Sequence, residues 1–319
     1  MTPRLHQIAS KFEPRMRDSL LAAFKEIGDL HTAAQVEEAL RFGGVEAVMD
    51  LVRDKTRPII SSHLVDDIDD AVTEGGRASL AILPEGAVTD PNFRFSILNP
   101  RTAAFVQRYE MNLIQQISSE TLAAIRQAVA TDIVTGRNPI STARDFRPNI
   151  GLTTRQETAV RNYRLALEEG DGAALRRGLR DKRFDRTVSR YLNANEKIPQ
   201  EKIERMVGRY REKSIKYRSE VIARTESLRA VSVGNAEAMD QLVEEGAVDP
   251  NVRKFWSPAL DNRVRNAHRR IPEMNPAGVK LNEQFQTPLG PLRYPRDPMG
   301  TAANTIQCRC AVLYRMKED

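Results

Sequence analysis

Cys308-Arg309-Cys310 and His268 are the residues of this chain whose types and spacing best suit chemistry. The chain has two cysteines, one tryptophan and four histidines, and roughly its last 65 residues hold both cysteines, Trp256 and the only histidine beyond residue 63. On a β-strand, residues two apart point the same way. A strand through Cys308 and Cys310 would therefore turn both sulfurs to one side, a fitting pair of ligands for one zinc ion. His268 is the natural third ligand. Asp261, seven residues before it, is a candidate fourth ligand or a carboxylate that orients the imidazole. The spacing matches no standard zinc ribbon, and two buried thiols that fill a core are the competing use.

The same segment admits a second chemistry. Asp261, Arg263, Arg265 and His268 could act on a phosphodiester, with histidine as general base and arginine as charge clamp. No nucleophile, glycine-rich phosphate loop or carboxylate pair accompanies them. The plainer reading has Asp261 capping a short helix and the arginines solvated or paired with Glu273 or Glu283.

Positive charge is localised upstream. Residues 171–230 carry 17 Lys or Arg against 9 Asp or Glu, although the net charge of the whole chain is only +6. Arg176, Arg177, Arg180, Lys182, Arg183 and Arg186, if they share a face, can track phosphates with salt-sensitive, sequence-independent affinity. A solvated face balanced by neighbouring acids is the alternative. Tyr210 and Tyr217 are expected in the core, and Glu226 and Arg229 as an ion pair on a helix.

The elements that must position these groups are mostly helical. Leu20, Leu21, Phe24 and Ile27, then Val36, Ala39, Leu40, Val45, Val48 and Met49, recur at helical spacing around a Gly43-Gly44 break. Residues 75–100 loosen into Gly and Pro, with Phe93-Arg94-Phe95 as a brief strand or an extended linker. Asn99-Pro100 opens a helix, Ser118-Ser119-Glu120-Thr121 suggests a new start, and Thr153 or Thr154 can cap another. Gln200 to about Glu245 reads as the longest helix. Beyond Gly246, Asp261 would cap a helix to about Arg270, Pro and Gly dominate 272–300, and Cys308 to Met316 alternates as a strand. The fold class expected is mainly α, with a helical N-terminal region (1–98), a central helical region (99–245) and a small C-terminal α+β module (246–319).

Length and composition fit this organisation. At 319 residues the chain can hold more than one core. A mean hydropathy of −0.49 and a pI near 9.4 accompany the absence of any apolar run long enough to span a bilayer, so no membrane partner is expected. The start, Met1 to His6, shows no secretory signal, so the protein is expected to stay in the cell that makes it. Two cysteines one residue apart give no disulfide framework, which points to a reducing compartment.

Taken in order, Ala223-Arg224-Thr225-Glu226 on a long helix, Phe255-Trp256, Leu260 to Arg265 with His268, Leu292-Arg293-Tyr294-Pro295, and Thr305 to Cys310 resemble the phage head morphogenesis family, the MuF-like minor head proteins. The helices from Leu21 to Leu51, the Asn99-Pro100 start and Gly151 to Gln156 look like that family's upstream region. The resemblance implies a virion protein without catalytic activity. Such a protein enters the assembling head, binds the portal and influences DNA packaging or ejection; capsid or scaffold proteins are further expected partners, and the basic stretch adds non-specific DNA. It would act in the host cytoplasm during assembly and then lie in the head interior or at the portal vertex. Some relatives carry a C-terminal toxin domain, and with nine residues after Cys310 none is expected here. The runner-up is a metal-dependent enzyme acting on nucleic acid, with His268 and Asp261 catalytic.

Overall fold

The structure, a computed structural model, describes residues 3–259 and 261–317. Met1 and Thr2 at the start, Leu260 of the ordered motifs and Asp319 at the end of the C-terminal module lie outside the described residues. The chain is mainly α, with a small antiparallel sheet near its C-terminal end. The long helices are α1 (Pro3–Asp29), α2 (Ala33–Arg77), α3 (Pro100–Val134) and α7 (Gln200–Glu244), and between the last two lie α4 (Pro139–Asn149), α5 (Thr154–Glu168) and α6 (Asp185–Asn193). The remainder holds β1 (Val252–Ser257), α8 (Asn266–Arg269), α9 (Ile271–Met274), β2 (Val279–Lys280), α10 (Ala302–Thr305) and β3 (Ala311–Met316).

Two compact units are assembled from separate stretches of chain. One comprises Met1–Arg17, Leu64–Asn112 and Glu220–Asp319; the other comprises Asp18–His63 and Leu113–Ser219. The linear segments ending at 98 and 245 mark changes in sequence character, just before α3 and just after α7, whereas the units draw on residues far apart in sequence.

In the second unit, Leu152, Val160, Tyr163, Leu167, Ile203 and Tyr210 belong to one core. Tyr163 and Tyr210 stack with ring centres 4.7 Å apart. Tyr217, expected beside them, is 49% exposed, because the covered face of α7 here runs through Arg211, Ser214 and Arg218 and leaves Tyr217 on the open side with Lys213 and Lys216. Thr153 caps α5 as a full capping box, its hydroxyl accepting from Gln156 N and the Gln156 side chain accepting from Thr153 N. The helix start expected at Ser118 is not there. α3 continues through it, since Ser118 and Thr121 donate their hydroxyls to Ile114 O and Ile117 O four residues back instead of capping. At Gly44, by contrast, α2 does bend, with φ 61° and ψ −144°.

The first unit is built on a backbone-close helix crossing. A Cβ on Gly234 of α7 would lie 1.9 Å from Val72 O of α2, and one on Gly75 would lie 2.3 Å from Val231 O. Only glycine permits that approach. α3 is tied to α7 by polar groups: Arg101 reaches Glu237 (3.3 Å) and Asp240 (2.7 Å), and Thr102 donates to Glu237 at 3.2 Å. Ala87, Phe93, Met239, Leu242, Val252 and Leu281 form an apolar cluster where the end of α7 meets the sheet. Phe93 is therefore a core residue just past a turn, and 93–95 form no strand but an irregular connection, the linker alternative.

The sheet has strand order β2-β1-β3, both pairs antiparallel, with Val252 opposite Met316 and Ser257 opposite Ala311. Val252, Lys254 and Trp256 face inward on β1. Burying Lys254 requires a partner; its Nζ donates to Arg293 O at 2.8 Å, and burial brings its pKa down to about 7.

Candidate metal centre

β3 begins at Ala311, so Cys308 and Cys310 lie in the extended segment before it and not on the strand. Their sulfurs nevertheless turn to the same side. His268 Nδ1 is 3.5 Å from Cys308 Sγ and 3.4 Å from Cys310 Sγ, and all three side chains are buried. Their donor atoms all lie within 4.8 Å of one another, a group that can hold a metal ion. α8 carries the imidazole, which meets the Trp256 ring edge-on with centres 5.5 Å apart.

His268 Nε2 is 2.8 Å from Asn304 Oδ1 on α10. The Asn304 amide nitrogen faces Thr287 Oγ1 (3.3 Å) and Gly290 O (3.5 Å), acceptors that fix which end of the amide meets the ring. Nε2 therefore carries the proton and donates, leaving the Nδ1 lone pair toward the two sulfurs. The orienting group is an amide from a segment with no periodicity.

Asp261 does neither task expected of it. Its carboxylate takes Arg309 at 2.5 and 2.8 Å and the backbone N of Arg263 at 2.9 Å, and the Arg309 contact holds its pKa below the usual carboxylate range. It closes a turn at residues 261–263, and the short helix starts later, at Asn266. Being tied to the guanidinium between the two cysteines, it fastens the 261 loop to the Cys308–Cys310 segment.

Arg296 gave no sequence signal. Its side chain is 1% exposed, with Nη1 donating to Cys308 O and Cys310 O at 2.9 Å each and Nη2 donating to Ser232 Oγ on α7 at 2.8 Å. Burial pushes its pKa down. A second arginine locks the first: Arg229 of α7 donates to Arg296 O (3.1 Å) and pairs with Glu226 (2.6 Å), which accepts from Tyr109 OH at 2.8 Å. The Glu226–Arg229 pair legible in the sequence is thus the seat on which the cysteine segment is held. The thiols are neighbours, and the side-chain contact between them lowers the Cys308 pKa and raises that of Cys310.

A cavity of about 520 Å³ in the same unit is lined by His6, Glu13, Arg224, Arg263, Arg265 and Arg309 among others. A space of about 10 Å³ beside His268, Cys308 and Cys310 is bordered by Arg263, Arg265 and Arg309 as well. Arg224 is paired with Glu13 at 2.9 Å.

The sequence is similar to that of a phage head protein. It is 30% identical over 97 residues to the minor head protein GP7 of Bacillus phage SPP1, a match covering 30% of this chain, and the chain spans 29% of the length of that curated relative. No family model matches the chain, and no solved structure matches it.

The basic stretch is less uniform than its sequence suggests. Arg176 ends one 3-10 turn, Lys182 and Arg183 lie in another, and Arg186 belongs to α6, so no single helix aligns them. Arg180 is held by Asp185 through two contacts of 2.9 Å, and Arg183 by Asp181 at 2.6 Å. Arg176, Lys182 and Arg186 are exposed and Arg177 is half-buried.

Proposed function

We propose that this chain is a minor head protein of a phage, that it associates with the portal while the head assembles, and that it assists DNA packaging or ejection. The observation that carries the reading is the convergence of the ordered motifs on one buried network. Glu226 and Arg229 from α7, Arg296 just after the Leu292–Pro295 motif, His268, and Cys308 with Cys310 are joined in an unbroken chain of contacts. Residues that resemble a head-protein signature are thereby accounted for by architecture. Similarity to the minor head protein of phage SPP1 supports the same assignment.

The network also bears on catalysis. Both imidazole nitrogens of His268 face internal partners, and the Asp261 carboxylate is held by Arg309, so neither is aimed at a substrate. An assembly role supported by a rigid module fits this better than hydrolysis of nucleic acid.

Co-expression with the portal protein of the same phage tests the proposal. The expected result is co-elution with the portal oligomer on size exclusion and recovery of the chain in purified heads. Failure to associate with portal or procapsid under assembly conditions, together with turnover of DNA or RNA that depends on His268, would replace it with the enzyme reading.

A further inference from the structure

We propose that His268 Nδ1, Cys308 Sγ and Cys310 Sγ bind a zinc ion, with a solvent oxygen completing a tetrahedral site. The inference stands on geometry and does not depend on the head-protein reading. In a tetrahedral centre with Zn–S of about 2.3 Å and Zn–N of about 2.0–2.1 Å, nitrogen and sulfur ligands sit about 3.6 Å apart. The two N–S separations here are 3.5 and 3.4 Å. Both N–S edges of a zinc tetrahedron are thus already set by ligands from two distant stretches of sequence, and the three donor atoms all lie within 4.8 Å of one another.

The surroundings suit two ligating thiolates better than two packed thiols. Among the described residues, Trp256 Nε1 is buried with no hydrogen-bond partner, and the indole lies against Cys310, as does the backbone N–H of Ala259. A buried donor without an acceptor costs about 1–3 kcal/mol, and a thiolate sulfur supplies the acceptor. Arg296 grips the carbonyls of both cysteines at 2.9 Å, which fixes the backbone that aims the sulfurs. Asn304 holds the tautomer that leaves Nδ1 free to ligate. The space of about 10 Å³ beside the three residues is close to what a single water needs.

Binding replaces all but one of the hydrated ion's water ligands by two Zn–S bonds and one Zn–N bond and releases the displaced waters and the two thiol protons to solvent, with no change of oxidation state. The test uses the full chain, expressed with zinc supplied and purified under reducing conditions. Elemental analysis should find equimolar zinc. X-ray absorption of the wild-type protein should show two sulfur ligands and a nitrogen or oxygen shell, and cobalt exchange should give sulfur-to-cobalt charge-transfer bands. Cys308→Ser and Cys310→Ser should reduce bound zinc to background, whereas Asp261→Asn should keep it. The spectroscopy needs no variant, so a cysteine variant that fails to fold leaves the test intact. Protein that stays metal-free, or a zinc shell without sulfur, overturns the site and leaves thiol packing as the explanation.

Discussion

Two glycines in the same helix should respond to alanine with opposite signs. Gly234 sits where α7 crosses α2, and an added Cβ would meet Val72 O at 1.9 Å and Gly76 N at 2.7 Å. Ordinary contact begins near 3.4 Å, so the helices must separate by about 1.5 Å at this point. The obstructing atoms are backbone and cannot swing aside. Overpacking a tight core costs about 1–3 kcal/mol and occasionally more, and a gap of even 0.5–1 Å forfeits a quarter to a half of each dispersion contact along the crossing. Against this, alanine gains about 0.5–1 kcal/mol over glycine as a helix former. Gly234→Ala should therefore lose about 1–2 kcal/mol net. Gly208→Ala, also in α7, meets nothing within 4 Å and should gain about 0.5–1 kcal/mol. Urea titration reads both, with Trp256 fluorescence following the unit that contains Gly234 and far-ultraviolet circular dichroism following Gly208→Ala. A neutral or stabilising Gly234→Ala would refute the crossing as described, and an equal loss in Gly208→Ala would show that the cost lies in the helix and not in the close approach.

Other expectations follow from charge and hydrogen bonding. Glu110 has its pKa pushed up to about 8 by burial and by Asp69 and Asp66. The native state thus holds a proton that the unfolded chain loses near 4.5, and stability should fall as pH rises from about 4.5 through about 8; Glu110→Gln should flatten that slope in urea titrations across the range. If zinc is bound as proposed, Asn304→Ala should weaken it about 10- to 100-fold in chelator competition, because it removes the group orienting the imidazole, and an unchanged affinity would remove Asn304 from that role. DNA binding through residues 176–186 should be weak and salt-dependent, and Arg176→Glu with Lys182→Glu should lower both the affinity and the steepness of its salt dependence, by about 0.9 for each phosphate no longer neutralised. Binding that survives high salt or selects a sequence would rule out a purely electrostatic role for the basic stretch.

The parts of the fold that depend on local pattern were legible. The apolar spacing from Ile203 to Leu242, closed off by Pro199 and Gly246, delimits α7 to within a residue of its observed end. Thr153 and Gln156 announce their capping box. The meeting of His268 with the two cysteines also follows from residue types, even though the cysteines precede the strand. Groups that acquire a role only through tertiary contact left no such signal. Arg296, Asn304 and Lys254 are polar residues that look solvent-bound in sequence, yet each is buried and satisfied by a partner at least a dozen residues away. Asp261 and Ser118 misled for a related reason: both are plausible helix caps, and the first is claimed by Arg309 while the second bonds back along a continuing helix.

Because one unit draws together Met1–Arg17, Leu64–Asn112 and Glu220–Asp319, its oldest residues on the ribosome are completed by its youngest. Leu5, Ala9, Phe12 and Met16 leave the exit tunnel long before the stretch carrying Cys308 and β3, and that unit cannot close until this stretch has followed. The stretch Leu64–Asn112 of that unit must wait with apolar faces open, and the unit's separate stretches meet only by closing a long loop, which slows folding. Such a chain has a long window of vulnerability to chaperones, proteases and premature partners. A fault at Cys308 should accordingly be felt at the first helix, because that unit gains its stability only when the final segment arrives.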